Sequence, residues 1–104
     1  MRESYATATI QSGQTQSDVV SMPEYMPVAI LAPAAFTGTT VGLWVPDATG
    51  VFYRINDLSL SIALSCWTTL TYDQSHWLGE QFRMSTTFPQ GADREIVVKL
   101  RRFN

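Results

Sequence analysis

Charge is what this chain has least of. Charged residues fill 15% of its 104 positions, against about a quarter in a typical soluble domain. The net charge is −2, so no overall basic field exists to hold nucleic acid. A single cysteine, Cys66, rules out a disulfide framework within the chain and fits a reducing compartment or indifference to redox. One histidine and one cysteine cannot build a zinc site without carboxylates. Long apolar runs are missing too. The longest, Pro27 to Phe36, is too short and too broken by proline to span a bilayer. Met1-Arg2-Glu3-Ser4 leads into no apolar signal segment. The expectation is a product that stays in the cytoplasm or assembles there into something larger.

What is present is core material. Hydrophobic residues make up 45% and aromatic residues 12% of the chain, which excludes disorder and suffices for one domain of common size. Ser, Thr and Gln stand where charge is missing, giving a surface that repels other protein less than average. The cations are six Arg and one Lys. Interfaces favour Arg over Lys, although solvated side chains are the better explanation of so small a set.

Period-two patterning dominates. In Leu58 to Ser65, the residues Leu58, Leu60, Ile62 and Leu64 share one face, and Cys66 continues it as a core residue. In Gln81 to Ser85, Phe82 and Met84 point inward. In Glu95 to Arg102, Ile96, Val98 and Leu100 point inward while Lys99 and Arg101 point outward. Val97 interrupts that polar face and predicts that something partly covers it. Val41, Leu43 and Val45 share a face, and Val51 to Ile55 follows a turn at Pro46 to Gly50. The pair reads as a hairpin with a loop of about five residues. Pro27 to Ala32 is apolar on both faces and reads as a central strand with proline only at its ends. Turns are marked at 11–13, 22–24, 37–38, 47–50, 73–75 and 88–93. Strand-sized segments between turns, without a long helix, predict an all-β fold. It is an antiparallel β-sandwich or jelly roll in a single domain. Residues 1–12 carry few large apolar groups and read as an arm or an edge strand; residues 13–104 form the sandwich.

The search for chemistry finds little. Cys66 and His76 would be the only Cys–His nucleophile pair, but Cys66 reads as core and His76 as part of a polar turn. Asp47, Asp57, Asp73 and Asp93 all fall at predicted turns, where Asp bonds nearby backbone amides. No calcium loop, phosphate-cradling glycine loop, nucleophile elbow or zinc-protease motif occurs. The chain is expected to be no enzyme and to need no cofactor and no metal. Trp44 is the more informative residue. It lies opposite Val41, Leu43 and Val45, on a face that a two-layer sandwich turns outward. Such a patch calls for cover. The cover is an arm or loop of the same chain, another subunit or partner, or a sugar ring stacked on the indole.

Three stretches carry a resemblance. An apolar strand closes on Pro33-Ala34-Ala35-Phe36-Thr37-Gly38. Then come Thr40-Val41-Gly42-Leu43-Trp44-Val45 and the turn Asp47-Ala48-Thr49-Gly50 before Val51-Phe52. Last come Arg83-Met84-Ser85, the loop Gln90-Gly91-Ala92-Asp93-Arg94, and the closing strand. From about Ser17 to Arg102 the chain resembles small β-sandwich structural proteins of tailed bacteriophages, the capsid cement or decoration class. It departs from that pattern at Phe36, where Trp is expected, at Trp44, usually polar, and at Pro46, usually small and polar. The resemblance implies a virion protein, without enzymatic activity, that binds the major capsid protein and stabilises the assembled head shell. It further implies a homo-oligomer, with a trimer favoured and a dimer allowed, and no direct contact with nucleic acid or membrane. The expected contact residues are Trp44, Tyr53, Arg54, Arg101 and Phe103, with the terminal segments 1–10 and 101–104. Two rival readings keep the same fold: a carbohydrate-binding module of a tail or adsorption apparatus, carried by loop aromatics such as Trp77, and a low-copy head-completion or tail protein.

Overall fold

The computed structural model describes residues 3–102, the side chains of Glu3, Asp57 and Leu58 excepted. Eight strands follow one another: β1 (Glu3–Ile10), β2 (Val20–Ser21), β3 (Tyr25–Leu31), β4 (Thr40–Pro46), β5 (Phe52–Ser61), β6 (Trp67–Thr69), β7 (Gln81–Ser85) and β8 (Arg94–Arg102). One helix, α1 (Tyr72–Leu78), lies between β6 and β7.

The strands form two four-stranded sheets, ordered β1-β8-β3-β6 and β2-β7-β4-β5. All the pairings are antiparallel. The order has a simple logic: first pairs with last, second with seventh, third with sixth, fourth with fifth. The chain is one long nested hairpin rolled into two layers, which is the wiring of a jelly roll.

Alternation builds the core between the layers. Phe82 and Met84 of β7, Ile96, Val98 and Leu100 of β8, and Val41 and Leu43 of β4 are buried. Ala8 and Ile10 are completely buried. Residues 3–10 are therefore an edge strand of the first sheet, with no separate arm among them. Cutting Phe82 back to Ala would cost about 3–5 kcal/mol through lost burial and the cavity left behind.

Several sequence expectations need correction. The segments 51–55 and 58–65 are not two strands. They merge into β5, which carries a large bulge: Gly42 pairs with Ser59 but Trp44 with Arg54. In a regular strand Ile55 and Leu60, an odd number of residues apart, would face opposite ways. The extra residues on β5 reset the parity, so Leu60 enters the core and Ile55 packs against it.

The run to Ser65 also stops early. β5 ends at Ser61 because the chain must leave the second sheet and cross to the first to become β6. Ser65, at φ 59°, donates its N–H to the Ala32 carbonyl at 2.9 Å. Leu64 and Cys66 are consequently exposed rather than core. Pro27 sits within β3 rather than at its end, at an irregularity in the pairing with β8, where a missing N–H is tolerated. Residues 73–75 are helical, not a turn. Thr71 caps α1 in a reciprocal capping box with Gln74, and Leu78 anchors the helix to the core.

Candidate interaction surface

The outer face of the second sheet carries two of the expected contact residues. Trp44 and Arg54 are cross-strand neighbours there, so Trp44 is outward, as its alternation with Leu43 and Val45 requires. Yet this face is largely tied up within the chain. The Trp44 indole N–H donates to Ser85 Oγ at 2.8 Å. The Arg54 guanidinium donates to Ser59 Oγ at 2.9 Å and lies over Gly42. A Cβ on Gly42 would meet Ser85 Oγ at 2.7 Å and Arg54 Nε at 3.0 Å; the missing side chain lets both groups settle onto the sheet. Beside them, Arg83 donates twice to the Ser17 carbonyl, at 2.7 and 3.0 Å, and stands 5.6 Å from the Phe52 ring centre. Tyr53 is not part of this face. It pairs with Val45 on the core side of β5 and is 59% exposed at the end of the sheet.

The outer face of the first sheet is different. Two registers cross all four strands: Thr7–Val97–Leu31–Trp67 and Tyr5–Lys99–Ala29–Thr69. Tyr5 and Trp67 sit on opposite edge strands, but their rings lean inward and come within 6.3 Å, tilted by 45°. Meeting across the sheet, they account for the half-burial of Val97 and Leu31, the partial cover expected for Val97. The rings themselves stay open, Tyr5 at 57% and Trp67 at 46% exposed. Next to them runs a groove of about 360 Å³, floored by Ala29, Val28 and Thr69 and walled by Tyr72, Ser75, Lys99 and Arg101. Tyr72 packs on His76 with ring centres 4.1 Å apart and stays largely exposed. Aromatic faces, aliphatic floor and two cations make this the surface best suited to hold another molecule.

Of the expected contacts, Arg101 belongs to this second surface and Phe103 lies outside the described residues, as do Met1, Arg2 and Asn104. Tyr5 falls within the expected contact segment 1–10 but was not singled out there. Its signal was the alternation of Tyr5 with Ala6 and Ala8, which turns the ring outward. Trp67 and Tyr72 had no comparable signal, because their exposure depends on where β6 and α1 dock.

The other chemical candidates are scattered over the fold. Cys66 lies on an exposed turn and His76 on α1 against Tyr72. The Asp47 carboxylate accepts from Thr49 N and Val51 N and from the Thr49 hydroxyl. These bonds hold its pKa below the ordinary value for Asp. Asp93 accepts from Ser12 N at 2.8 Å. Asp73 stands in the first turn of α1, and Asp57 falls within β5. The Arg102 pKa is raised by its bond and charge interaction with Glu24, 2.9 Å away. Among the described residues, no group of three His, Cys, Asp or Glu is placed to hold a metal ion. No described helix is long and apolar enough to cross a membrane.

Two stretches singled out in the sequence meet at one end of the sandwich. Gln90, 1% exposed, reaches into the 33–38 corner. Its Oε1 accepts from Thr37 N at 2.9 Å, and its Nε2 donates to the carbonyls of Thr37 and Phe88 at 2.9 and 3.0 Å. Its own backbone carbonyl accepts from Gly13 N. The unusual corner and the Gln90 loop are thus two halves of one structural joint. No family model, curated protein or solved structure matches the chain.

Proposed function

We propose that this chain is a structural subunit of a tailed-bacteriophage virion, a capsid cement or decoration protein that binds the assembled head shell. The observation that carries the reading is the outer face of the first sheet, where Tyr5, Trp67 and Tyr72 stand exposed beside a groove on a chain poor in charge. A monomer gains nothing from leaving such rings in water, whereas a lattice partner would bury them. A small jelly roll suits the task, being a scaffold that viral capsid domains use, although fold alone never dictates function. A binder that recognises the lattice but not free subunits stabilises the shell by mass action, and many copies make individually weak contacts collectively firm.

The test is copy number in purified virions, measured by quantitative mass spectrometry against the major capsid protein. A fixed ratio with hundreds of copies is the expected result. A handful of copies moves the protein to the neck or tail, and absence from the particle ends the virion reading.

One observation favours a second reading, a carbohydrate-binding module of an adsorption apparatus. Tyr72 and Trp77 on α1 are 71% and 70% exposed, and flat rings beside hydroxyl and cationic groups are what sugar stacking uses. Tryptophan fluorescence that stays unchanged across a glycan panel would remove it.

A further inference from the structure

Each sheet has two edges, and three of the four are protected in the ways that keep edges from pairing. β6 and β2 are only three and two residues long. β5 is long, but it is bulged and carries Arg54 and Asn56. From Ser4 to Ile10, β1 has none of these devices. Its eight residues pair with β8 without a register break, and Ser4-Tyr5-Ala6-Thr7-Ala8-Thr9-Ile10 contains no charge and no proline.

The direction of its free groups follows from Thr9. Thr9 N donates to Asp18 Oδ1 at 2.8 Å, and Thr9 O accepts from Asp18 N at 3.0 Å. Both groups of Thr9 therefore point away from β8. In an unbroken antiparallel ladder the pattern alternates, so the N–H and C=O of Thr7 and Tyr5 point the same way. Among the described residues, no hydrogen bond from another segment reaches them. The 17–18 segment closes the edge at Thr9 and leaves it open at Thr7 and Tyr5.

We propose that a second copy of this chain closes that edge: two β1 strands pair antiparallel about a twofold axis at Ala6, joining two four-stranded sheets into one. The geometry selects both the partner and the register. With Asp18 occupying Thr9, the accessible groups are those of Tyr5 and Thr7. A twofold axis at Ala6 sets Tyr5 of each copy opposite Thr7 of the other, so identical strands satisfy each other completely. Ala6 meets its own copy at the axis in a non-hydrogen-bonded pair, where Cα atoms approach to about 4.5 Å and a small side chain fits. Such an interface is isologous and closes on itself. It makes the dimer, rather than the trimer that the resemblance favours, the basic unit. It also sets the two Tyr5–Trp67 faces side by side. The inference holds whether or not the chain is a virion component.

The first measurement is native mass at micromolar concentration, with a species of twice the 11.6 kDa chain mass expected. Thr7→Pro is the discriminating variant. It removes an outward N–H that β8 does not use, a position an edge strand tolerates, so the fold should survive while dimer affinity falls at least tenfold. As a safeguard against misfolding, Ala6→Cys in a Cys66→Ser background should oxidise to a covalent dimer, because the expected Cα separation lies within disulfide reach. Thr9→Cys in the same background should not cross-link. A monomeric wild type, a dimer indifferent to Thr7→Pro, or cross-linking at Thr9 in preference to Ala6 would each overturn the proposal.

Discussion

Gln90 offers the sharpest test of how this jelly roll is held together. The side chain is buried, and its amide copies a strand neighbour, accepting from Thr37 N while donating to Thr37 O. A third bond reaches Phe88 O. Gln90→Ala removes all three. Each neutral bond is worth roughly 1 kcal/mol net, and partners left buried without replacement cost more. The loss should be about 3 kcal/mol, with the vacated volume adding to it. For a domain of this length that corresponds to a fall of about 14 °C in Tm, using the usual unfolding entropy per residue. Gln90→Leu nearly preserves volume and should lose about as much, since the polar partners remain stranded. Gln90→Glu should be worse near neutral pH, where a carboxylate would face the Thr37 and Phe88 carbonyls, and should recover partly in acid. Urea unfolding followed by circular dichroism reads all three. A loss below about 0.5 kcal/mol for Gln90→Ala, less than one ordinary hydrogen bond, would refute the claim that this residue joins the corner to the 86–93 loop.

The close packing at Gly42 and the Asp47 turn carry two further expectations. Gly42→Ala should push Ser85 and Arg54 off the second sheet, costing about 1–3 kcal/mol as overpacking does. It should also shift Trp44 emission in a Trp67→Phe, Trp77→Phe background, whereas an unchanged spectrum would mean that Ser85 keeps its bond to the indole. Asp47 has a lowered native pKa, so its contribution is full above the unfolded value, about 3.9, and is lost as pH falls through the lower native value. The Tm gap between wild type and Asp47→Ala should therefore be constant near neutrality and shrink below about pH 4, and a gap that widens in acid would contradict the assignment.

How far the sequence could be read depends on the element. β7 and β8 were legible almost to the residue, because one face of each is buried and period two leaves a plain record in Phe82, Met84, Ile96, Val98 and Leu100. The 40–55 hairpin was legible for the same reason, helped by its Asp47 to Gly50 turn. β5 was not. Its bulge flips parity, so a strand with Ile55 and Leu60 on one side reads as two strands. α1 was missed because two turns of helix give almost no periodicity, although its capping box, Thr71 with Gln74, is written in the chain. β2, only two residues long, exists through its pairing with β7 alone.

The candidate surface divides the same way. Sequence by itself determined that Trp44, Arg54, Tyr5 and Arg101 leave the core, because alternation is a local property of a strand and needs no partner to be read. Which of those outward groups stays open was decided only by tertiary structure. Ser85 takes the Trp44 indole, Ser17 takes Arg83, and Gly42 makes room for Arg54, all across strand pairings or loops far apart in the chain. Tyr5 and Trp67 meet because the rolled hairpin sets first and sixth strands at opposite edges of one sheet. Cover depends on neighbours in space, and in a fold built by nesting one long hairpin those neighbours lie far apart along the chain.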